Sequence, residues 1–148
     1  MKPQVSKDVV VAALITDQDG NVLIVKPSHK EGWIFPGGYV EVGEAPSQAF
    51  QRELLAEIGI EPEESARLLS IDYRGSADEY IMFIFDGGVF TEEIKSRIKL
   101  PPRLVEYRFA PPQEAMQMLR EKSARRLMPT LEARNKTGIA YLENQELF

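Results

Sequence analysis

With 148 residues, 43% of them apolar, the chain can bury the core of one compact domain and is too apolar to stay disordered. It has no cysteine, which excludes disulfides, thiolate metal sites and cysteine nucleophiles and fits a reducing cytoplasm. A net charge of −5 argues against a binder of duplex nucleic acid, and no apolar run approaches a membrane span. The charge is uneven. Residues 95–136 hold eleven basic and four acidic residues, or +7, and the remainder holds seven against nineteen, or −12. An acidic first half facing a basic second half suits a metal-bound polyphosphate, although such charges also serve as ordinary solvated faces.

The opening residues lack a signal-peptide apolar region, so the run over residues 8–16, rich in β-branched side chains, reads as a strand. Asp17-Gln18-Asp19-Gly20-Asn21 is turn chemistry, and residues 22–26 return as the second arm of a hairpin. Residues 27–32 form a loop with the single histidine, His29, which gives no nucleophilic triad. Next comes the glycine pair Gly37-Gly38, read as a tight bend, then a short alternating strand over residues 39–42. Ala45-Pro46 starts a helix that Gly59 ends. Along it Phe50, Leu54 and Ile58 make an apolar stripe, while Glu53 and Glu57 stack one turn apart at its rim. Two like charges so close are tolerable if a hard cation sits between them, since oxygen ligands suit Mg²⁺ or Mn²⁺.

Beyond the helix, residues 61–64 make an acidic connection, 66–73 a strand and 74–78 a turn. Residues 79–85 form a strongly apolar strand, Asp86-Gly87-Gly88 a break or bulge, and Val89-Phe90 its resumption. Residues 91–99 fit no single element. Pro101-Pro102 forces an extended loop, and residues 104–110 read as the last strand. Helices follow over 113–120, with a methionine-rich face suited to the core, and over 123–135. The tail over 137–148 carries Ile139, Tyr141 and Leu142, which either dock on the body or pair with a second copy as a homodimer. The chain reads as a single domain over 1–148, α/β in class with a mixed β-sheet.

Residues 38–60 resemble the Nudix box, G-x5-E-x7-R-E-U-x-E-E-x-G-U with U aliphatic. Gly38, Glu44, Arg52, Glu53, Leu54, Glu57, Gly59 and Ile60 fall on its fixed positions, and Ala56 stands where one glutamate is expected. The resemblance implies a Nudix-like α/β/α sandwich. It also implies hydrolysis of a phosphoanhydride bond in a nucleoside diphosphate linked to another group, by metal-assisted attack of water. Carried over by position, Glu53 and Glu57 are the expected catalytic metal ligands, with the Gly37 main-chain carbonyl as a further ligand and Mg²⁺ or Mn²⁺ as the cofactor. Gly38, Glu44, Arg52 and Gly59 are expected in support, with Arg52 pairing Glu44 or Glu53.

Ala56 lowers the local negative charge and is expected to weaken a second or third ion. The family often takes a further carboxylate from a later loop, where this chain has Arg103, of the wrong sign; Glu41, Glu79, Glu92, Glu93 and Glu106 are other candidates. Two readings follow: a working hydrolase in which another acid substitutes, which is the expectation, or a catalytically weakened domain that binds a nucleotide with Arg103 in the place of an ion. Trp33, Phe35, Tyr39, Tyr80, Phe83 and Tyr107 are available to stack on a base, but nothing in the sequence selects substrate-binding residues.

Overall fold

The computed structural model describes residues 3–4, 6–63, 65–75 and 79–148. The expected turn over 74–78 and the acidic connection over 61–64 fall partly outside them.

Among the described residues, eight strands share one mixed sheet: β1 (Asp8–Asp17), β2 (Val22–Pro27), β3 (Gly37–Tyr39), β4 (Leu68–Arg74), β5 (Tyr80–Phe90), β6 (Leu104–Ala110), β7 (Ala140–Glu143) and β8 (Glu146–Leu147). Their order is β6-β2-β1-β5-β4-β7-β8, with β3 also laid against β1. The central pair, β1 and β5, is parallel, and β4 is antiparallel to β5. β1 can be apolar throughout because both its faces are covered. Val11, Ala13 and Ile15 enter one core with Phe50, Leu54 and Ile58 of helix α1 (Pro46–Ile58). Ala12 and Leu14 enter the other, with Ala115 of α3 (Pro112–Met118) and Leu127 of α4 (Glu121–Arg134). The layers are therefore helix, sheet, helix.

Helix α1 has the expected bounds. Ala45 at its start has no side-chain oxygen, so Gln48 reaches back and its Oε1 accepts the Ala45 N–H at 2.8 Å. Gly59 closes the helix at φ 74°, its N–H bonded to the Leu55 carbonyl. The stretch over 91–99 contains a short helix, α2 (Glu92–Ser96), whose first turn is capped when Thr91 Oγ1 accepts the Ile94 N–H.

Two expectations are corrected. The strand beside the box comprises Gly37–Tyr39, not 39–42, and neither glycine has a positive φ. The pair answers a need for space rather than for a bend: a Cβ on Gly37 would lie 2.1 Å from the Val11 carbonyl oxygen. The last two helices begin earlier than expected, and α3 ends at Met118 because Leu119 turns extended and bridges to Trp33. The tail docks on the body, one of its two expected outcomes, and does so as strands: β7 runs parallel to β4 in the same chain, and β8 folds back on β7. Of the two outcomes expected at Asp86-Gly87-Gly88, break or bulge, the structure has the bulge, within an unbroken β5, where Asp86 Oδ1 accepts the Gly88 N–H at 2.9 Å and the register against β1 shifts.

Candidate functional site

Strand β1 pairs with β2 only at Thr16 and Val22, after which the two diverge and β3 fills the space beside β1. A cavity of about 990 Å³ lies over this divergence. Its lining includes Gly37, Gly38, Glu53, Ala56 and Glu57. Lys30, Arg103, Arg120 and Lys122 also line it, with Arg52 and Arg126.

The helical spacing of α1 presents Glu53 and Glu57 to the same side, each held by one oxygen. Glu57 Oε1 accepts the Gly37 N–H at 2.6 Å, and Glu53 Oε1 accepts from Arg52 Nη1 at 2.6 Å. Their other oxygens converge on Arg103, whose Nε lies 3.5 Å from Glu57 Oε2 and whose Nη2 lies 3.7 Å from Glu53 Oε2. Burial pushes the Glu57 carboxyl above its ordinary range. The Gly37 N–H and Arg103 pull it back, and the like charge of Glu53 pushes it further up.

Arg52 bridges both carboxylates that the sequence offered it. Its Nε and Nη2 grip Glu44 at 2.7 and 2.9 Å, its Nη1 holds Glu53, and Nη2 also donates to the Tyr39 carbonyl. The bidentate contact, helped by the Glu41 N–H, holds Glu44 down at about 2. Gly38 makes room for Glu53: a Cβ there would stand 2.5 Å from the Glu53 Cδ. Gly59 lies at the far end of α1, next to Lys99. Gly37 adjoins Glu57 through its N–H; its carbonyl belongs to a residue paired with Ala12 of β1.

Among the described residues no group of three or more Asp, Glu, His or Cys side chains could hold a metal ion. Ala56 contributes no oxygen. Of the substitute acids, only Glu41 lines the cavity, and it lies 3.6 Å from Arg52. Glu79, Glu92 and Glu106 pair instead with Lys7, Lys95 and Arg108. The donor set therefore fits one hard cation between two carboxylates, with its other positions left to water and phosphate oxygens, and does not fit a cluster of ions. Arg103 must yield for that ion to enter.

Of the aromatic candidates, Phe35, Tyr39 and Tyr80 line the cavity; Trp33, Phe83 and Tyr107 do not. Sequence reasoning missed Arg126, a buried guanidinium of α4 that also lines it. Its Nε donates to Asp72 at 2.7 Å and its Nη2 to the Tyr80 hydroxyl at 2.6 Å. Arg126 adjoins the buried Leu127 on α4, and an arginine there reads as solvated until the position of Asp72 on β4 is known.

Comparison with known proteins places the chain. The model of the NUDIX domain matches residues 6–131. An RNA pyrophosphohydrolase of Aeromonas hydrophila is 46% identical over 54 residues, 36% of this chain and 31% of that protein. An 8-oxo-dGTP diphosphatase of Proteus vulgaris is 46% identical over 56 residues, 35% of this chain and 50% of that protein. The chain thus spans a third to a half of the length of these relatives. The crystal structure of the MutT protein from Methanosarcina mazei Go1 has the same fold, with a TM-score of 0.73 at 21% identity over 90% of this chain and all of that one. No helix among the described residues is long and apolar enough to cross a membrane. With a family match that begins before β1, ends within α4 and encloses the paired carboxylates, the chain belongs to the NUDIX domain family.

Proposed function

We propose that the chain is a pyrophosphohydrolase that cleaves a phosphoanhydride bond of a nucleoside diphosphate linked to another group, by attack of water. The observation that carries this reading is a cavity lined both by two carboxylates that converge on one point and by the cations Lys30, Arg103, Arg120 and Lys122. The names of the two relatives, a pyrophosphohydrolase and a diphosphatase, support the same reaction class.

Glu53 and Glu57 would hold one Mg²⁺ or Mn²⁺, with the Gly37 carbonyl as a further oxygen. Bound there, the ion would neutralise charge on the diphosphate oxygens and activate the attacking water. Arg52 fixes the Glu53 rotamer, and the Gly37 N–H fixes that of Glu57, so both arrive oriented. Lys30, Arg120 and Lys122 have no carboxylate partner in the described contacts and would bind the phosphate chain; Tyr39, exposed in the lining, would stack on a base.

The test is release of nucleoside monophosphate or phosphate from a panel of nucleoside diphosphate derivatives with Mg²⁺ or Mn²⁺. Glu53→Gln and Glu57→Gln should each lower the rate by about 10–100-fold or more, and unchanged rates in both would sink the assignment. A second reading has one observation in its favour: Arg103 lies against both carboxylates, beside Ala56. It makes the domain a nucleotide binder without turnover, and predicts calorimetric binding that barely depends on Mg²⁺.

A further inference from the structure

We propose that Arg103 is a displaceable internal cation that makes binding of the divalent ion and of the diphosphate mutually dependent. The inference rests on the site reading above and adds a regulatory role for a residue outside the box.

The geometry separates two kinds of arginine contact. Arg52 meets its carboxylates at 2.6–2.9 Å, the range of strong charge-assisted hydrogen bonds. Arg103 stands at 3.5 and 3.7 Å, too long for such bonds, and its side chain is 48% exposed. Its backbone is nevertheless fixed, because its carbonyl accepts the Ser28 N–H at 2.8 Å. The head group can therefore leave while its root stays. It occupies the one place where both free Oε2 atoms converge, which is where a cation shared by Glu53 and Glu57 has to sit.

Consider a divalent ion arriving alone. It gains the two Oε2 atoms, but they lose Arg103, and the guanidinium is left beside a like charge with no new partner. Ala56 supplies no acid to receive it. An ion arriving with a diphosphate changes the balance, because Arg103 exchanges its carboxylates for phosphate oxygens, which it can grip through two N–H groups. Each ligand then favours the other by the same factor, as linkage requires.

The experiment is Mn²⁺ titration followed by electron paramagnetic resonance, with and without α,β-methylene ADP, on the full chain. The wild type should bind Mn²⁺ weakly alone and about 5–150-fold more tightly with the analogue. Arg103→Gln should bind Mn²⁺ alone at least about fivefold more tightly than the wild type and lose most of the coupling. Arg103→Lys, which keeps the charge, should leave Mn²⁺ alone weakly bound, and it carries the test if the glutamine variant does not fold. Mn²⁺ affinity no greater in Arg103→Gln than in the wild type, undiminished coupling in that variant, or tight Mn²⁺ binding by Arg103→Lys alone would overturn the proposal. Failure of the underlying site reading looks different: Glu53→Gln and Glu57→Gln would then leave Mn²⁺ binding and turnover unchanged, whatever Arg103 does.

Discussion

At the scale of single residues, the site depends on how each carboxylate is held before any ligand arrives. Glu53 is steered by Arg52, which is itself locked by its two bonds to Glu44. Replacing Arg52 by Lys keeps the charge but cannot reproduce three contacts made from one planar group. Arg52→Lys is therefore expected to lower turnover about 10–100-fold while the melting temperature moves little, as measured by steady-state kinetics and thermal unfolding. A parallel fall in both would make Arg52 a stability residue. Away from the cavity, Asp17 shows a purely structural carboxylate. Its oxygens accept the N–H groups of Asp19 and Asn21, the Asn21 side-chain amide and Lys95 Nζ at 2.8 Å. Burial alone raises its pKa, but Lys95 and the turn N–H groups outweigh that and hold it at about 2, against an ordinary 3.8. A depressed folded value means the unfolded chain takes up the proton first. The contribution is thus whole above about pH 4 and disappears as pH falls toward 2. Asp17→Ala should destabilise by about 1–3 kcal/mol at neutral pH, and the difference from wild type should shrink across that acid window in urea titrations.

At the scale of elements, the two glycines of β3 make a pair of opposite predictions. A methyl group on Gly37 meets the backbone of β1, 2.1 Å from the Val11 oxygen and 2.9 Å from the Ala12 Cα, and neither can step aside without breaking the strand pairing. A methyl group on Gly38 meets only the Glu53 carboxylate, the far end of a flexible side chain. Gly37→Ala is expected to destabilise by about 1–3 kcal/mol or more. Gly38→Ala should leave the denaturant midpoint near that of the wild type and weaken Mn²⁺ binding. Equal midpoints for the two variants would contradict this division. The same contrast marks what the sequence could reveal. Helix α1 was legible to the residue, because its apolar stripe, Pro46 and Gly59 are local signals. The bounds of β3 were not, because the need for Gly37 is set by Val11, far away in sequence. Position marked Arg103 as a charge of the wrong sign. Its approach to both glutamates depends on β6 lying beside β2 and on the Ser28 bond, which no local pattern encodes.

At the scale of the whole molecule, one buried polar cluster ties the C-terminal part of the chain to the cavity wall. Asp72 of β4 takes Arg126 of α4 on Oδ2, and takes the Gln145 N–H on Oδ1 at 3.0 Å from the turn between β7 and β8. Arg126 passes the connection on to Tyr80 at the start of β5. Sheet, helix, tail and cavity thus meet at two side chains that are almost wholly buried. A buried ion pair is weak support for stability as such, since two well-packed apolar side chains can serve as well. Removing one partner is different, because it leaves a charge without compensation. Arg126→Met is therefore expected to lose about 3–5 kcal/mol, and Tyr80→Phe, which removes one hydrogen-bond acceptor, about 0.5–1.5 kcal/mol. The double variant Asp72→Leu, Arg126→Met should recover much of the loss, giving a large positive coupling in a double-mutant cycle read by urea unfolding. If Arg126→Met costs no more than an ordinary surface change, the tail is held by the β4–β7 ladder alone.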